Sequence, residues 1–293
     1  MKPAKFDYIK PKTLDEALQA LQIDDVKLIA GGQSLVPLMN YRLSQPSTII
    51  DINSIKELSI IDVINETLEI GSLVTHNEAI KSKIINNYFP IITDAIGHTA
   101  HKTIRNSGTI GGSIAHADPA AEWPLLAMLL DCDINICNLQ DNRSVKAKEF
   151  FISELTTDLN QNEIIKSFSF PLIKNEYGWA FEEIVKRSGD FAIIAVASII
   201  EIINNVIVEI KICVGGVGET PIRLSNIEQM LKGKTIEDSY KEIKNDQITL
   251  LLKPNSDVHA SAEYKLHIAP KIIKNVLIKS IQNYKENTND KKM

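Results

Sequence analysis

Apolar and polar positions along the chain change period twice, and each change marks a different kind of layer. Leu14, Ala17, Leu18 and Leu21 recur at helical spacing behind Thr13, and Glu16 stands three residues after that threonine. A short capped helix is therefore expected over residues 13–21. The strand-like run KLIA follows, then GGQS, then a second strand, TIIDI, over 48–52. This opening reads as a small α/β layer.

From Leu58 the pattern becomes ELSIIDVI and TLEIGSLV, two strands with Asn65 and Glu66 turning between them. Thr75 and Glu78 mark another helix start, and residues 88–100 are mixed helical. The glycine-rich stretch NSGTIGGSIAHADP reads as a loop, and 120–130 as a helix with an almost wholly apolar side. A break falls at 171–177. Beyond it come strands at 181–185, 192–203 and 206–214, the last two joined by a hairpin turn at Asn204-Asn205. Helices around 227–231 and 262–284 are expected to cover this meander. Pro270 should start or kink the last of them, because proline lacks the donor a helix interior needs. The polar tail ENTNDKKM should fray. There is no internal repeat.

Composition narrows the class. Hydrophobic residues are 44% and charged residues 24% of 293, ordinary for a soluble globular chain of one or two domains. A net charge of -5 argues against a broad nucleic-acid surface, which needs clustered positive charge. The longest apolar run, at 191–203, is interrupted by Glu201, so no transmembrane segment is expected. MKPAKFDYIKP has no apolar core of the signal-peptide type, and a cytoplasmic location is expected. Of the three cysteines, Cys132 and Cys137 lie five apart on an expected strand and so point to opposite faces. They read as buried thiols, and the chain is expected to carry no iron–sulfur cluster or other metal of its own.

The candidate chemistry lies in two glycine pairs. Residues 28–35, LIAGGQSL, deliver Gly31 and Gly32 from a strand, with Gln33 and Ser34 offering side-chain hydrogen bonds. Such a turn either simply joins strand to helix or presents its N–H groups to an anion. Residues 109–122, TIGGSIAHADPAAE, repeat the design, with Thr109 and Ser113 flanking Gly111 and Gly112. Two such segments suit a pyrophosphate, which has oxygens on two phosphorus centres. Neither matches GxGxxG or GxxxxGK[ST], so neither a Rossmann fingerprint nor a P-loop is present. Glu122 could accept from a ribose, or could simply favour a helix first turn. His98, His101 and His116 have no metal-ligand spacing and read better as loop histidines beside an anion pocket. Lys186, Arg187 and Asp190, in VKRSGDFA, are either a solvated turn or one whose basic pair neutralises bound phosphates; the residues leave both open.

AGGQS, TIGGS followed by HADPAAE, KRSGDFA, GGVGETPIR and SAEYKLHIA, in that order, resemble the FAD-binding medium subunit of the xanthine dehydrogenase and aerobic carbon monoxide dehydrogenase (molybdenum hydroxylase) family. The resemblance covers nearly the whole chain. It implies an α+β fold: a vanillyl-alcohol-oxidase-type FAD-binding domain of two α/β subdomains, 1–57 and 58–172. A small C-terminal domain, 176–285, would follow, with an antiparallel sheet packed on helices. Carried over to this sequence, the FAD contacts would be Leu28, Ile29, Ala30, Gly31, Gly32, Gln33, Ser34, Leu35, Ala100, Thr109, Ile110, Gly111, Gly112, Ser113 and Glu122, together with Ile165 and Lys186. The chain departs from the pattern at Ser113, where asparagine is frequent, and at Gln33, where histidine is. The resemblance further implies a small partner with two [2Fe-2S] clusters and a large partner with the molybdenum cofactor, in a dimer of heterotrimers. In that scheme FAD relays electrons to NAD, oxygen, quinone or another acceptor, and no acid–base catalyst is expected here. Two other readings stand beside it: a stand-alone FAD oxidoreductase of the vanillyl-alcohol-oxidase class, and a non-catalytic assembly subunit.

Overall fold

The computed structural model describes residues 2–237 and 243–290. The first layer holds β1 (Asp7–Ile9), α1 (Leu14–Ala20), β2 (Val26–Ile29), α2 (Leu35–Asn40) and β3 (Thr48–Asp51). Its sheet has the order β1-β3-β2, with both neighbour pairs parallel. Thr13 caps α1 as expected, its hydroxyl accepting from the Glu16 N–H at 3.2 Å. The return arm differs: the Glu16 carboxylate takes the N–H of Lys12 at 2.7 Å, one residue further back.

The second layer contains β4 (Ile61–Ile64), β5 (Thr67–Gly71), α3 (His76–Lys81), α4 (Lys83–Tyr88), α5 (Pro90–His98), α6 (Lys102–Arg105), α7 (Ile110–His116) and α8 (Glu122–Leu129). It continues with β6 (Asp133–Cys137), β7 (Asn142–Lys146), α9 (Ala147–Phe150), β8 (Phe151–Ser153), β9 (Thr156–Thr157) and β10 (Ile164–Pro171). Five strands pair in the order β4-β5-β10-β6-β7. Asn65 and Glu66 both take positive φ, the geometry that closes a two-residue hairpin. Thr75 and Glu78 make a complete capping box. The glycine-rich stretch expected as a loop is in large part α7, so Gly111 and Gly112 lie in the first turn of a helix.

The third layer is β11 (Tyr177–Ile184), β12 (Ile194–Ile203), β13 (Val206–Gly215) and β14 (Ile222–Arg223), an antiparallel meander. It is backed by α10 (Ser225–Leu231), α11 (Asn245–Thr249) and α12 (Ala262–Asp290). Pro270 does not start α12, which runs through it. The tail is helical as far as Asp290, and Lys291, Lys292 and Met293 lie outside the described residues. Both faces of this sheet are covered. Along β12, Ile194, Val196 and Ile200 face the α10–α12 core, while Ala195, Ala197 and Ile199 face the core of the second layer. That double burial explains the unbroken apolar run, which alternation alone would not produce. Cys132 and Cys137 likewise go to different cores, both as free buried thiols. Among the described residues no helix is long and apolar enough to cross a membrane.

The result is an α+β architecture, with mixed α/β layers at the N-terminal side and a smaller sheet-plus-helix unit at the C-terminal side.

Candidate functional site

The two glycine segments meet backbone to backbone. A β-carbon built on Gly31 would sit 2.0 Å from the Ser107 carbonyl oxygen and 2.8 Å from the Gly108 Cα. No side chain fits there, so Gly31 lets the strand-end turn rest directly on the stretch that enters α7. Gly32 has φ +67, a conformation that side chains rarely adopt. Asn53 Nδ2 donates to the Ala30 carbonyl at 2.9 Å, and Gln33 Nε2 donates to the Gly31 carbonyl at 2.7 Å. The backbone N–H groups of Gly32, Gln33, Ser34 and Leu35 donate to no acceptor among the described residues. This exposed run of donors matches an anionic ligand.

The second segment works differently. Thr109 caps α7, its Oγ1 accepting from Gly112 N–H at 3.0 Å. Ile110 N–H donates to Val74 O at 3.0 Å and Gly111 N–H to Ser72 O at 2.8 Å. Its first amides are therefore used internally. A β-carbon on Gly111 would lie 2.6 Å from Ser72 O, whereas one on Gly112 would meet only the Thr109 hydroxyl at 3.0 Å. Gly111 is a packing glycine, and Gly112 is the open one. Ser113 follows in the same turn, half-buried.

Behind the seam stands a brace that sequence patterns did not reveal. A β-carbon on Gly108 would lie 2.7 Å from His76 Nε2. His76 Nδ1 accepts from the buried Trp123 Nε1 at 2.8 Å. Burial pushes the His76 pKa down to about 4, with the Arg105 charge adding to the effect. The ring is thus neutral at physiological pH, and the Trp123 bond leaves its proton on Nε2. Arg105 Nη1 donates to both Thr99 O and Ala100 O at 2.7 Å. Ala100 has φ +43, so the guanidinium clamps a strained turn. The turn after β11 docks on the same place. Gly189, at φ +86, would bring a β-carbon 2.9 Å from His101 Cε1 and 3.2 Å from the Ala100 carbonyl carbon.

Glu122 opens α8 and is 8% exposed. Burial pushes its pKa up to about 7; the Thr99 hydroxyl and Arg105 oppose the shift, and Asp118 adds to it. The Thr99 Oγ1 is nevertheless sealed without a hydrogen bond of ordinary geometry, as are Ser72 Oγ and Glu183 Oε2. Each such atom costs about 1–3 kcal/mol unless a ligand or rearrangement satisfies it. Ile165 lies on β10, buried in the second-layer core beside the bulge, and the next carbonyl, Lys166 O, accepts Ser72 N–H at 3.1 Å. Lys186 is exposed at the start of the Gly189 turn. Of the histidines considered for a metal, His98 pairs with Glu183; among the described residues no three His, Cys, Asp or Glu could hold a metal ion. The site offers backbone donors, open glycine surface and buried carboxyls, but no arranged nucleophile and base. An extended phosphate-bearing cofactor suits it.

A family model for the FAD binding domain in molybdopterin dehydrogenase matches residues 4–173, and one for the CO dehydrogenase flavoprotein C-terminal domain matches 179–280. The chain belongs to the FAD-binding medium-subunit family of the molybdenum hydroxylases. It is 37% identical over 284 residues to the alpha subunit of the 6-hydroxypseudooxynicotine dehydrogenase complex of Paenarthrobacter nicotinovorans, covering 96% of each chain. It is 38% identical over 240 residues to caffeine dehydrogenase subunit beta of Pseudomonas sp. (strain CBB1), covering 80% of this chain and 81% of that one. Among solved structures, carbon monoxide dehydrogenase from Hydrogenophaga pseudoflava superposes with a TM-score of 0.93 at 31% identity, covering 97% of this chain and 99% of that one. As a member of this family the chain is an FAD-binding subunit of an oxidoreductase. The FAD-binding model spans both glycine pairs, Arg105, Glu122 and Ile165; the Lys186 turn falls in the C-terminal one.

Proposed function

We propose that this chain holds one FAD without a covalent link and relays electrons through it. The electrons would come from the [2Fe-2S] clusters of a small partner and pass to NAD, oxygen, quinone or another acceptor. The observation that carries the reading is the contact of Gly31 with Ser107 and Gly108, which joins both glycine segments into one site. The pyrophosphate would rest on the free N–H groups at 32–35 and on the open face of Gly112. Leu28, Ile29, Ala30 and Leu35 would shape the first segment. Thr109, Ile110, Gly111 and Ser113 would shape the second, with Gln33, Ser34 and Glu122 bonding the polar chain of the cofactor. Ala100, Ile165 and Lys186 would border the ring. Bound flavin supplies the exchange between one- and two-electron carriers, while the protein places and tunes it. The cofactor would be held by two subdomains, 1–57 and 58–172, and 176–285 would close over it; that one family model ends at 173 and the other begins at 179 supports the second boundary.

Substrate oxidation would belong to a large molybdenum subunit, and a dimer of heterotrimers is the expected assembly. One relative is named as part of a dehydrogenase complex and another as a subunit of a dehydrogenase, which supports assembly with partners. Co-expression with candidate small and large subunits, size-exclusion chromatography and a metal assay test this. Co-elution with iron and molybdenum is expected. A chain that stays alone beside fully loaded partners at micromolar concentration contradicts it.

A further inference from the structure

We propose that Asn53, held in place by Asp51, is the positioning residue that sets the first glycine turn for an anionic cofactor, and that Tyr8 and Lys10 complete the brace. The inference rests on the FAD reading above. β3 is the middle strand of the first sheet and both its neighbours run parallel to it, so the carboxyl ends of all three strands share one edge. Ligands gather at such an edge in parallel sheets. Asp51 closes β3 there, opposite Ile29 of β2, and the glycine pair begins two residues beyond Ile29.

Asp51 is 8% exposed and reaches toward both neighbours. On the β1 side its carboxylate accepts from the Tyr8 hydroxyl and lies 3.6 Å from Lys10 Nζ. On the β2 side its Oδ1 accepts from the Asn53 N–H at 3.0 Å and from Asn53 Nδ2 at 2.7 Å. The second proton of that amide goes to the Ala30 carbonyl at 2.9 Å. A turn that merely closed β3 would need the backbone bond from Asn53 to Asp51, but not the side-chain bond to Ala30.

The consequence lies in the peptide units of the glycine turn. In a planar trans peptide the C=O and the N–H point in opposite directions. Asn53 draws the Ala30 carbonyl to one side, which turns the Gly31 N–H to the other. Gln33 Nε2 does the same to the Gly31 carbonyl, at 2.7 Å, and so to the Gly32 N–H. The Val36 N–H takes the Gly32 carbonyl at 3.0 Å. All three carbonyls of the turn are thus engaged, while the N–H groups of 32–35 meet no acceptor among the described residues. A carbonyl that swung into the space they face would set an acceptor against a phosphate oxygen, which is an acceptor too. Two adjacent glycines resist such a swing weakly, so the turn needs a lock from outside it. A carboxylate this close to an anion site opposes binding by its charge. Its bonds to Tyr8 and Asn53 give the reason for its place.

The test is FAD affinity, from fluorescence titration of the flavin-free chain, read beside the thermal midpoint of that chain. Asn53→Ala should weaken FAD binding by about tenfold to a hundredfold. The midpoint should stay close to wild type, because Asn53 is exposed. Asp51→Ala should weaken binding to a similar degree. The double variant should bind no worse than the weaker single one, since both act through one chain of bonds. Asp51→Asn keeps an oxygen for Asn53 and should stay within about threefold of wild type. Gln22→Ala is the control. It removes a side-chain bond to the Leu18 carbonyl at 3.2 Å, ahead of the amino end of β2, and should leave affinity unchanged. Tyr8→Phe, at a residue 55% exposed, should cost about threefold and carries the test should Asn53→Ala fail to fold. A wild-type chain that binds no FAD overturns the functional reading and this inference with it. A wild-type chain that binds FAD, with Asn53→Ala and Tyr8→Phe at wild-type affinity, overturns the positioning role alone. Losses that multiply in the double variant, or Asp51→Asn as weak as Asp51→Ala, overturn it too.

Discussion

Gly111 and Gly112 are adjacent and identical, yet their surroundings assign them opposite duties. The first has the Ser72 backbone where a side chain would go, and the second has open space beyond its own cap. Gly112→Asp is therefore expected to keep the fold and lose FAD, because a carboxylate would replace the surface proposed to meet phosphate. Gly111→Ala is expected to cost about 1–3 kcal/mol of stability through overpacking. Flavin retention after desalting, read beside the thermal midpoint, separates the two. Glu122 carries a second residue-scale expectation. Its folded pKa, about 7, lies above the ordinary 4.5, so the native state holds a proton that the unfolded chain releases sooner. The stability tied to it is complete below 4.5 and is lost as pH rises toward about 7. The flavin-free wild type should therefore lose thermal stability between those values more steeply than Glu122→Gln. Equal slopes in a pH series of melting curves would count against a buried, raised carboxyl.

Element by element, the clearest sequence signals were turns and caps, because their geometry depends on one or two residues. Asn204 and Asn205 take φ of 51 and 66 and join β12 to β13, as the dipeptide suggested. The Thr75–Glu78 box was equally plain. The glycine-rich stretch was harder, since its two glycines hid a helix start whose evidence is Thr109 accepting from Gly112. Glu183 was unread, although two adjacent glutamates on a strand force one inward; Glu182 turns to Lys279 on α12 and Glu183 to His98 on α5. Arg105 and the His76–Trp123 bond depend on contacts across the fold, which no local pattern encodes. GGVGETPIR carried the family resemblance without disclosing what its arginine does. Arg223 Nε and Nη2 hold Glu228 at 2.8 and 3.0 Å, and Nη1 holds Asp131 at 2.8 Å and the Met128 carbonyl at 3.0 Å. It ties the C-terminal sheet to the end of α8. Arg223→Met should cost on the order of 3 kcal/mol, because it strands a largely buried glutamate. A urea midpoint equal to wild type would contradict that role.

At the scale of the molecule, the first two layers bring the two glycine segments together, and the Gly189 turn of the third layer rests on Ala100 and His101. Under the proposed function this arrangement would serve a carrier. The isolated chain should not oxidise purines, aldehydes or carbon monoxide, since its site has no arranged nucleophile and base and no metal-ligand group among the described residues. Robust turnover of an organic substrate by the metal-free chain would favour an independent flavoenzyme. The central claim, that the joined glycine segments hold FAD, is tested most directly by the flavin-to-protein ratio of the purified chain. After reconstitution with FAD and desalting, absorbance should give about one flavin per chain, released intact into the supernatant when the protein is precipitated with acid. A folded wild-type chain that emerges colourless, or Gly112→Asp that keeps its full flavin, would contradict the account.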